Sequence, residues 1–195
     1  LAAGKLHIFT AIQAEAKAIR AVVPEGVKLS VIGIRAVRLR EVADASGILM
    51  AGFGGALDPV LKVGDVVWDD PAGTIHTSTE MVSTAAQKAA LFARTGARVV
   101  DMENGIVRAF AVRMEAAFYG VRAVSDTAEE AVDPVVLRLV DEIGRVRAGA
   151  IARELVRRPG IIPTLNRLRL SSGVAGRALA EAVRTFLDEN AELYR

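Results

Sequence analysis

RVVDMENGIV, residues 98–107, ends an apolar run in two carboxylates and an asparagine, then turns apolar again. ARVV reads as a short buried strand and 103–114 as a helix. Acids at that junction have two readings. They suit a helix start, where the dipole stabilises a carboxylate by roughly 0.3–1 kcal/mol. Alternatively they hold a ligand at a strand's carboxyl end, where open α/β sheets bind their ligands. If the strand persists, alternation puts Asp101 and Glu103 on one side and Met102 on the other.

Working outward, short apolar runs alternate with helical patterns. Strands are expected at 5–12, 27–34, 63–70, 74–83 and 116–126, the last ending on an acid. GILMAGFGGAL (47–57) begins as a buried strand and is expected to run into a glycine turn. Helices are expected at 14–23, closed by Pro24, and at 84–95, capped by Thr84 and ended by Gly96. Everything after Pro134 reads helical, at 135–143, 148–157 and 174–193, with Pro159 and Pro163 interrupting. This alternation argues for an α/β layered fold with helices on both faces of a sheet.

The 195 residues read as one domain, 1–195, with a helical, Arg-rich part from about 134 to 195. The apolar share of 52% with 25% charged residues fits a globular chain. No apolar run reaches the roughly 18 residues of a membrane-spanning helix. There is no cysteine, which excludes disulfides and thiolate chemistry, and His7 and His76 are too few for a typical zinc site. No secretory signal is visible in LAAGKLHIFT, which reads as a short lead into a strand. The chain starts with Leu rather than Met, so the record is expected to be incomplete. Net charge is +2, but Arg145, Arg147, Arg153, Arg157, Arg158, Arg167, Arg169 and Arg177 are opposed mainly by Glu154. That segment is either a solvated helical face or a surface for phosphate, anionic lipid or nucleic acid. It lacks interleaved aromatics, and aromatics are 5% of the chain, which argues against nucleic acid.

Three strand ends carry unusual residues. In GFGGALDP (52–59), clustered glycines let backbone approach a ligand; a tight structural turn is the plain alternative. VVDMEN holds Asp101 and Glu103. RAVSD holds Ser125 and Asp126, where an acid is either a proton donor or a turn residue.

Together, GFGGALDPVLKVGDVV, VVDMENGIVRAFA and VRAVSD resemble, in order, the three main motifs of the nucleoside phosphorylase superfamily, the fold of purine nucleoside phosphorylases and methylthioadenosine nucleosidases. The tail, GRVRAGAIARELVRRPGIIPTLNRLRLSSGVAGRALAEAV, is similar to that of hopanoid-associated phosphorylases, which cleave adenine from an adenosyl-hopane lipid. The resemblance implies a three-layer α/β/α fold with a central twisted mixed sheet and a helical C-terminal extension. It implies cleavage of a purine N-glycosidic bond, with Glu103 accepting from the ribose hydroxyls and Met102 beside the sugar. It places Asp126 at purine N7, with Ser125 holding its turn and Met81 and Val82 walling the base. Gly33, Arg35, Gly52 and Phe53 fall where the family holds phosphate or attacking water, and the Arg35 fork suits phosphate. No metal or organic cofactor is implied, only inorganic phosphate as co-substrate.

Departures shape the expected reaction. The acidic cluster after the first strand is reduced to Glu15, a helix position, which tilts the choice toward phosphate over water. The glycine-loop serine is replaced by Phe53. PAGT closes a connection that normally holds a further helix and strand, and 37–47 is short. A hydrolytic nucleosidase and a non-catalytic nucleoside-binding protein are the competing expectations. The resemblance further implies a cytoplasmic homo-oligomer, with the arginine-rich helices resting on an anionic membrane face.

Overall fold

The computed structural model describes residues 5–40 and 45–194. Residues 1–4, read as a lead into the first strand, and part of the short 37–47 stretch lie outside them. The chain runs β1 (Leu6–Thr10), α1 (Gln13–Ile19), β2 (Lys28–Val31), β3 (Gly47–Ala56), β4 (Val66–Trp68) and β5 (Ile75–Thr77). It continues through α2 (Ala85–Thr95), β6 (Val99–Asp101), α3 (Asn104–Arg113), β7 (Ala117–Asp126), α4 (Ala148–Arg157) and α5 (Ile162–Glu189).

The seven strands form one mixed sheet organised on β3. β3 pairs in parallel with β1 on one side and with β7 along its length on the other. Its last residues pair antiparallel with β6: Gly55 faces Val100 and Ala56 faces Val99. Alternation explains why β3 is apolar throughout: both of its faces are covered. Leu49 and Ala51 join Leu6, Ile8, Val121 and Ala123 against Ile19 of α1 and Leu179, Val183 and Leu187 of α5. Ile48 and Met50 join Phe9 against Val107, Phe110 and Ala111 of α3. This is a three-layer α/β/α arrangement with a long C-terminal helix.

Several expectations need correction. The glycines of 47–57 do not turn the chain; they remain inside β3. Residues 135–143 form no α-helix: a 3-10 turn at Pro134–Arg138 is followed by an isolated Val140–Val146 bridge. α5 begins twelve residues before 174, because Pro163 lies in its first turn, where no intrahelical N–H bond is lost. The helix at 84–95 matches its signals: Thr84 Oγ1 accepts from the Gln87 N–H at 3.2 Å, and Gly96 takes a left-handed φ of 67°. The short 70–74 connection is a closed turn, with the Gly73 N–H donating to Asp70 O at 3.1 Å. Among the described residues no helix is long and apolar enough to cross a membrane.

The core assignment makes a direct prediction. Leu49 is fully buried, so Leu49→Ala should cost about 2–5 kcal/mol in urea unfolding. Val156, 85% exposed on α4, should tolerate alanine within about 0.5 kcal/mol.

Candidate active site

The site is built along β3, at the glycines. A Cβ on Gly52 would lie 2.8 Å from Glu15 Oε1, and one on Gly55 would lie 3.0 Å from Asp126 Oδ2. Glycine at both positions lets two carboxylates touch the strand, about 10 Å apart along it at 3.3 Å per residue.

At the Gly52 end, Glu15 is buried at the first turn of α1. Its Oε2 accepts from the Ala11 N–H at 2.8 Å and the Ile12 N–H at 2.9 Å, and its Oε1 from the Phe53 N–H at 2.8 Å. Burial pushes its carboxyl above the usual range, although those three amides and the Arg122 charge pull the other way. Glu103 belongs to the same group. It takes the N-cap position of α3, yet its side chain does not cap that helix. Instead Oε1 accepts from the Arg35 N–H at 2.8 Å. Burial, reinforced by the Asp101 and Glu15 charges, pushes Glu103 up to about 7.

The two readings of RVVDMENGIV therefore divide between its two acids. Asp101 is the structural one: its Oδ2 accepts from the Asn104 N–H at 2.7 Å and from Arg122, and its Oδ1 from Thr77 Oγ1 at 2.7 Å. Glu103 is left with one backbone amide, and its position is set by that capping.

At the Gly55 end, a bulge aims Asp126. Gly54 faces Val124 and Gly55 faces Asp126, so Ser125 is the extra residue of β7. Ser125 Oγ donates to Asp126 Oδ1 at 2.8 Å. Asp126 lines a cavity of about 120 Å³ together with Met81, Val82, Met102, Glu80 and Val132. That volume is small beside the ~300–1,000 Å³ of typical ligand pockets and suits a single ring system.

Sequence-expected residues thus fall into two neighbouring groups. Met81, Val82, Met102 and Asp126 share the cavity, with Ser125 behind Asp126. Glu103, Gly52 and Phe53 gather around Glu15. Gly33 and Arg35 contribute through backbone: Gly33 (φ 82°) opens the turn that aims the Arg35 N–H at Glu103, while the Arg35 side chain is exposed. Phe53 likewise contributes its N–H; its ring packs toward α1 and α5. Glu15, a helix position by sequence, does reach back to the start of α1, where it accepts from the Ile12 N–H, and it also bonds to the Phe53 N–H of β3. Its signal in the sequence was its place just beyond a buried strand. Arg122 lies within VRAVSD without a role assigned to it there, and Lys88 lies outside the three motifs. Among the described residues no group of three or more His, Asp or Glu is spaced to hold a metal.

Comparison with known proteins follows the same lines. Residues 71–157 match the phosphorylase superfamily. The segment contains Met81, Val82, Met102, Glu103, Ser125 and Asp126 but not Glu15, Gly33, Arg35, Gly52 or Phe53. The structure is similar to Helicobacter pylori 5'-methylthioadenosine/S-adenosylhomocysteine nucleosidase in complex with a pyrrolidinol compound, at TM-score 0.65 and 14% identity, covering 97% of this chain and 100% of that one. It is also similar to H. pylori futalosine hydrolase, at TM-score 0.64, 14% identity and 96% and 98% coverage. The Neisseria meningitidis nucleosidase with methylthio-immucillin-A gives TM-score 0.59, 17% identity and 93% and 99% coverage. At these identities the likeness establishes the fold. No curated protein sequence matches the chain.

The raised Glu103 carries a pH signature. Unfolded, it loses its proton near 4.5; folded, it holds it to about 7. In that window the folded state binds more protons, so stability falls as pH rises through it. Glu103→Gln should flatten this slope and be more stable than the parent at alkaline pH, by about 1–3 kcal/mol in urea unfolding at each pH.

Proposed function

We propose that this chain cleaves the N-glycosidic bond of a purine nucleoside, with water as the attacking group. The observation that carries this is the placement of Glu15: a buried carboxyl, fixed by three backbone amides and grouped electrostatically with Glu103. A group so held, with its proton affinity raised, is suited to orient water and take its proton. The same pocket disfavours phosphate. Arg122, the buried cation beside these acids, is already bound to Asp101, and an anion would meet two carboxyls.

In this reading the cavity takes the base between Met81, Val82 and Met102, with Asp126 at its edge. Glu103 accepts from the ribose hydroxyls. As the sugar–base bond breaks, its electron pair leaves with the base and positive charge grows on the sugar. Glu103 and Glu15 lie where that charge develops. The likeness to methylthioadenosine nucleosidases supports the choice of a purine nucleoside, and one neighbour was solved with 5'-methylthioadenosine in its active site.

Phosphorolysis is the second reading, and one observation favours it. The exposed Arg35 side chain stands on the turn that contacts Glu103, within reach of a phosphate entering from solvent.

The deciding experiment measures adenine release from adenosine, methylthioadenosine and an adenosyl lipid, each with and without phosphate. Release independent of phosphate is expected; a stall without it establishes the second reading, and binding without release rejects catalysis. Glu15→Gln and Asp126→Asn should each lower kcat about 100-fold or more while the circular dichroism spectrum is retained.

A further inference from the structure

Lys88 sits on the inner face of α2, and its side chain is completely shielded from solvent. Its ammonium has three N–H donors, and all three are used. One goes to Asp126 Oδ2 at 2.5 Å, one to the Thr127 carbonyl at 2.6 Å and one to the Glu130 carbonyl at 2.9 Å. The second Asp126 oxygen accepts from Ser125. Other charged groups around the pair are turned elsewhere. The Glu130 carboxylate accepts from the Thr127 N–H at 2.8 Å and lies 3.8 Å from Arg167 of α5. Asp101, across the cavity, is bound by Arg122, and Glu80 stands at the exposed rim. Among the described residues Asp126 is the one carboxylate that Lys88 touches.

We propose that Lys88 supplies, through Asp126, the proton that reaches the departing base. This rests on the reading that the cavity takes the base of a nucleoside. Lys88 gives a proton to Asp126 Oδ2, and the resulting carboxyl passes a proton to the ring nitrogen facing it. Meanwhile the sugar–base bond breaks, and its electron pair stays with the base. Water bonds to the sugar carbon and its released proton goes to Glu15. Exchange with solvent returns a proton to Lys88 and removes one from Glu15. The first transfer converts a fully enclosed charge and a partly enclosed one into two neutral groups, which a site with little water favours more than bulk water does. Lys88 touches no substrate, so it is a positioning and proton-supplying residue rather than a catalytic one.

A plain anchoring role for the 127–130 loop makes different predictions. Rates of base release are measured against pH for the parent, Lys88→Met, Lys88→Gln, Lys88→Arg, Asp126→Asn and the Lys88→Met/Asp126→Asn double variant, each checked by thermal melting. Lys88→Met and Lys88→Gln should lose about 100-fold near neutral pH and recover part of it on acidification, when solvent supplies the proton that Lys88 no longer gives. Arginine keeps the charge and the donors but does not give up a proton in proteins, so Lys88→Arg should not restore the rate. In the Asp126→Asn background, Lys88→Met should add less than about threefold, because the two act as one unit. The proposal is overturned if Lys88→Arg restores turnover, if the loss in the folded Met or Gln variant is the same at every pH, or if the two losses multiply. A parent protein that releases no base from any nucleoside overturns the functional reading itself. A parent that turns over, with any of those variant patterns, overturns the role of Lys88 alone.

Discussion

The buried pairing of Arg122 with Asp101 is the constraint around which the interior is arranged. Both side chains are 1% exposed, and the guanidinium also donates to the carbonyls of Met50, at 3.0 Å, and Val121, at 2.8 Å. Asp101 in turn receives Thr77 and the amide that begins α3. Strands β3, β5, β6 and β7 are thus tied to one ion pair, together with the helix that carries Glu103. Removing one partner of such a pair strands the other in a dry interior at a cost of about 3–5 kcal/mol. The pair also decides which acid is available. Because Asp101 supplies the capping oxygen for α3, the Glu103 carboxyl is not needed there and can face the Gly52 end of β3.

Charge balance then sets the state of the remaining carboxyls. One guanidinium stands among Glu15, Asp101 and Glu103, and it is the closest partner of Asp101. Three ionised carboxylates around a single cation would leave excess negative charge in a low-dielectric site, so the system retains protons instead. Glu103, pushed up to about 7, is the group in which this is most visible. A carboxyl near neutrality both gives and takes a proton readily, so the electrostatic cost of building the interior is also what suits it to the acid–base work proposed for it.

Local signals carried much of this fold. Thr84 and Gly96 bounded a helix to the residue because capping depends on chemistry within one turn. The strands of the sheet core were visible because both their faces are buried. What escaped depended on distant partners. That β6 enters antiparallel to β3, so that Glu103 is drawn alongside the strand rather than beyond its end, follows from pairing Val100 with Gly55. The glycines of β3 looked like a turn because the groups that require them, Glu15 and Asp126, are far off in sequence. Residues 135–143 have the apolar content of a helix, but the chain there closes on itself through the Val140–Val146 bridge, and Ile143 O is held by the Gln13 N–H at 2.9 Å. Four of the expected base- and sugar-side residues, Met81, Val82, Met102 and Asp126, do meet in one cavity. Glu15 was discounted because the same position serves an ordinary helix start.

Gly52 and Gly55 of β3 differ in the charged groups they meet, and that asymmetry bears on the proposed chemistry. Near Gly52 stand Glu15 and Glu103, which share the influence of Arg122 but, among the described residues, have no ammonium or guanidinium bonded to them. Near Gly55 stands Asp126 with an ammonium of its own, fully enclosed. In the proposed reading the sugar lies toward Glu15 and Glu103 and the base toward Asp126, and the glycosidic bond breaks by moving an electron pair from the sugar toward the base. On that reading the developing cation forms beside carboxyls, and the base takes its electron pair beside Asp126, whose ammonium partner supplies a proton. Fixed charges aligned with the charge movement of a transition state lower its energy without reorganising at the moment of reaction. A reversed nucleoside would set its departing base against the carboxyls and its sugar beside the proton-supplying pair, the opposite of what the proposed cleavage needs. The proposed reading therefore carries an orientation rule as well as a set of side chains.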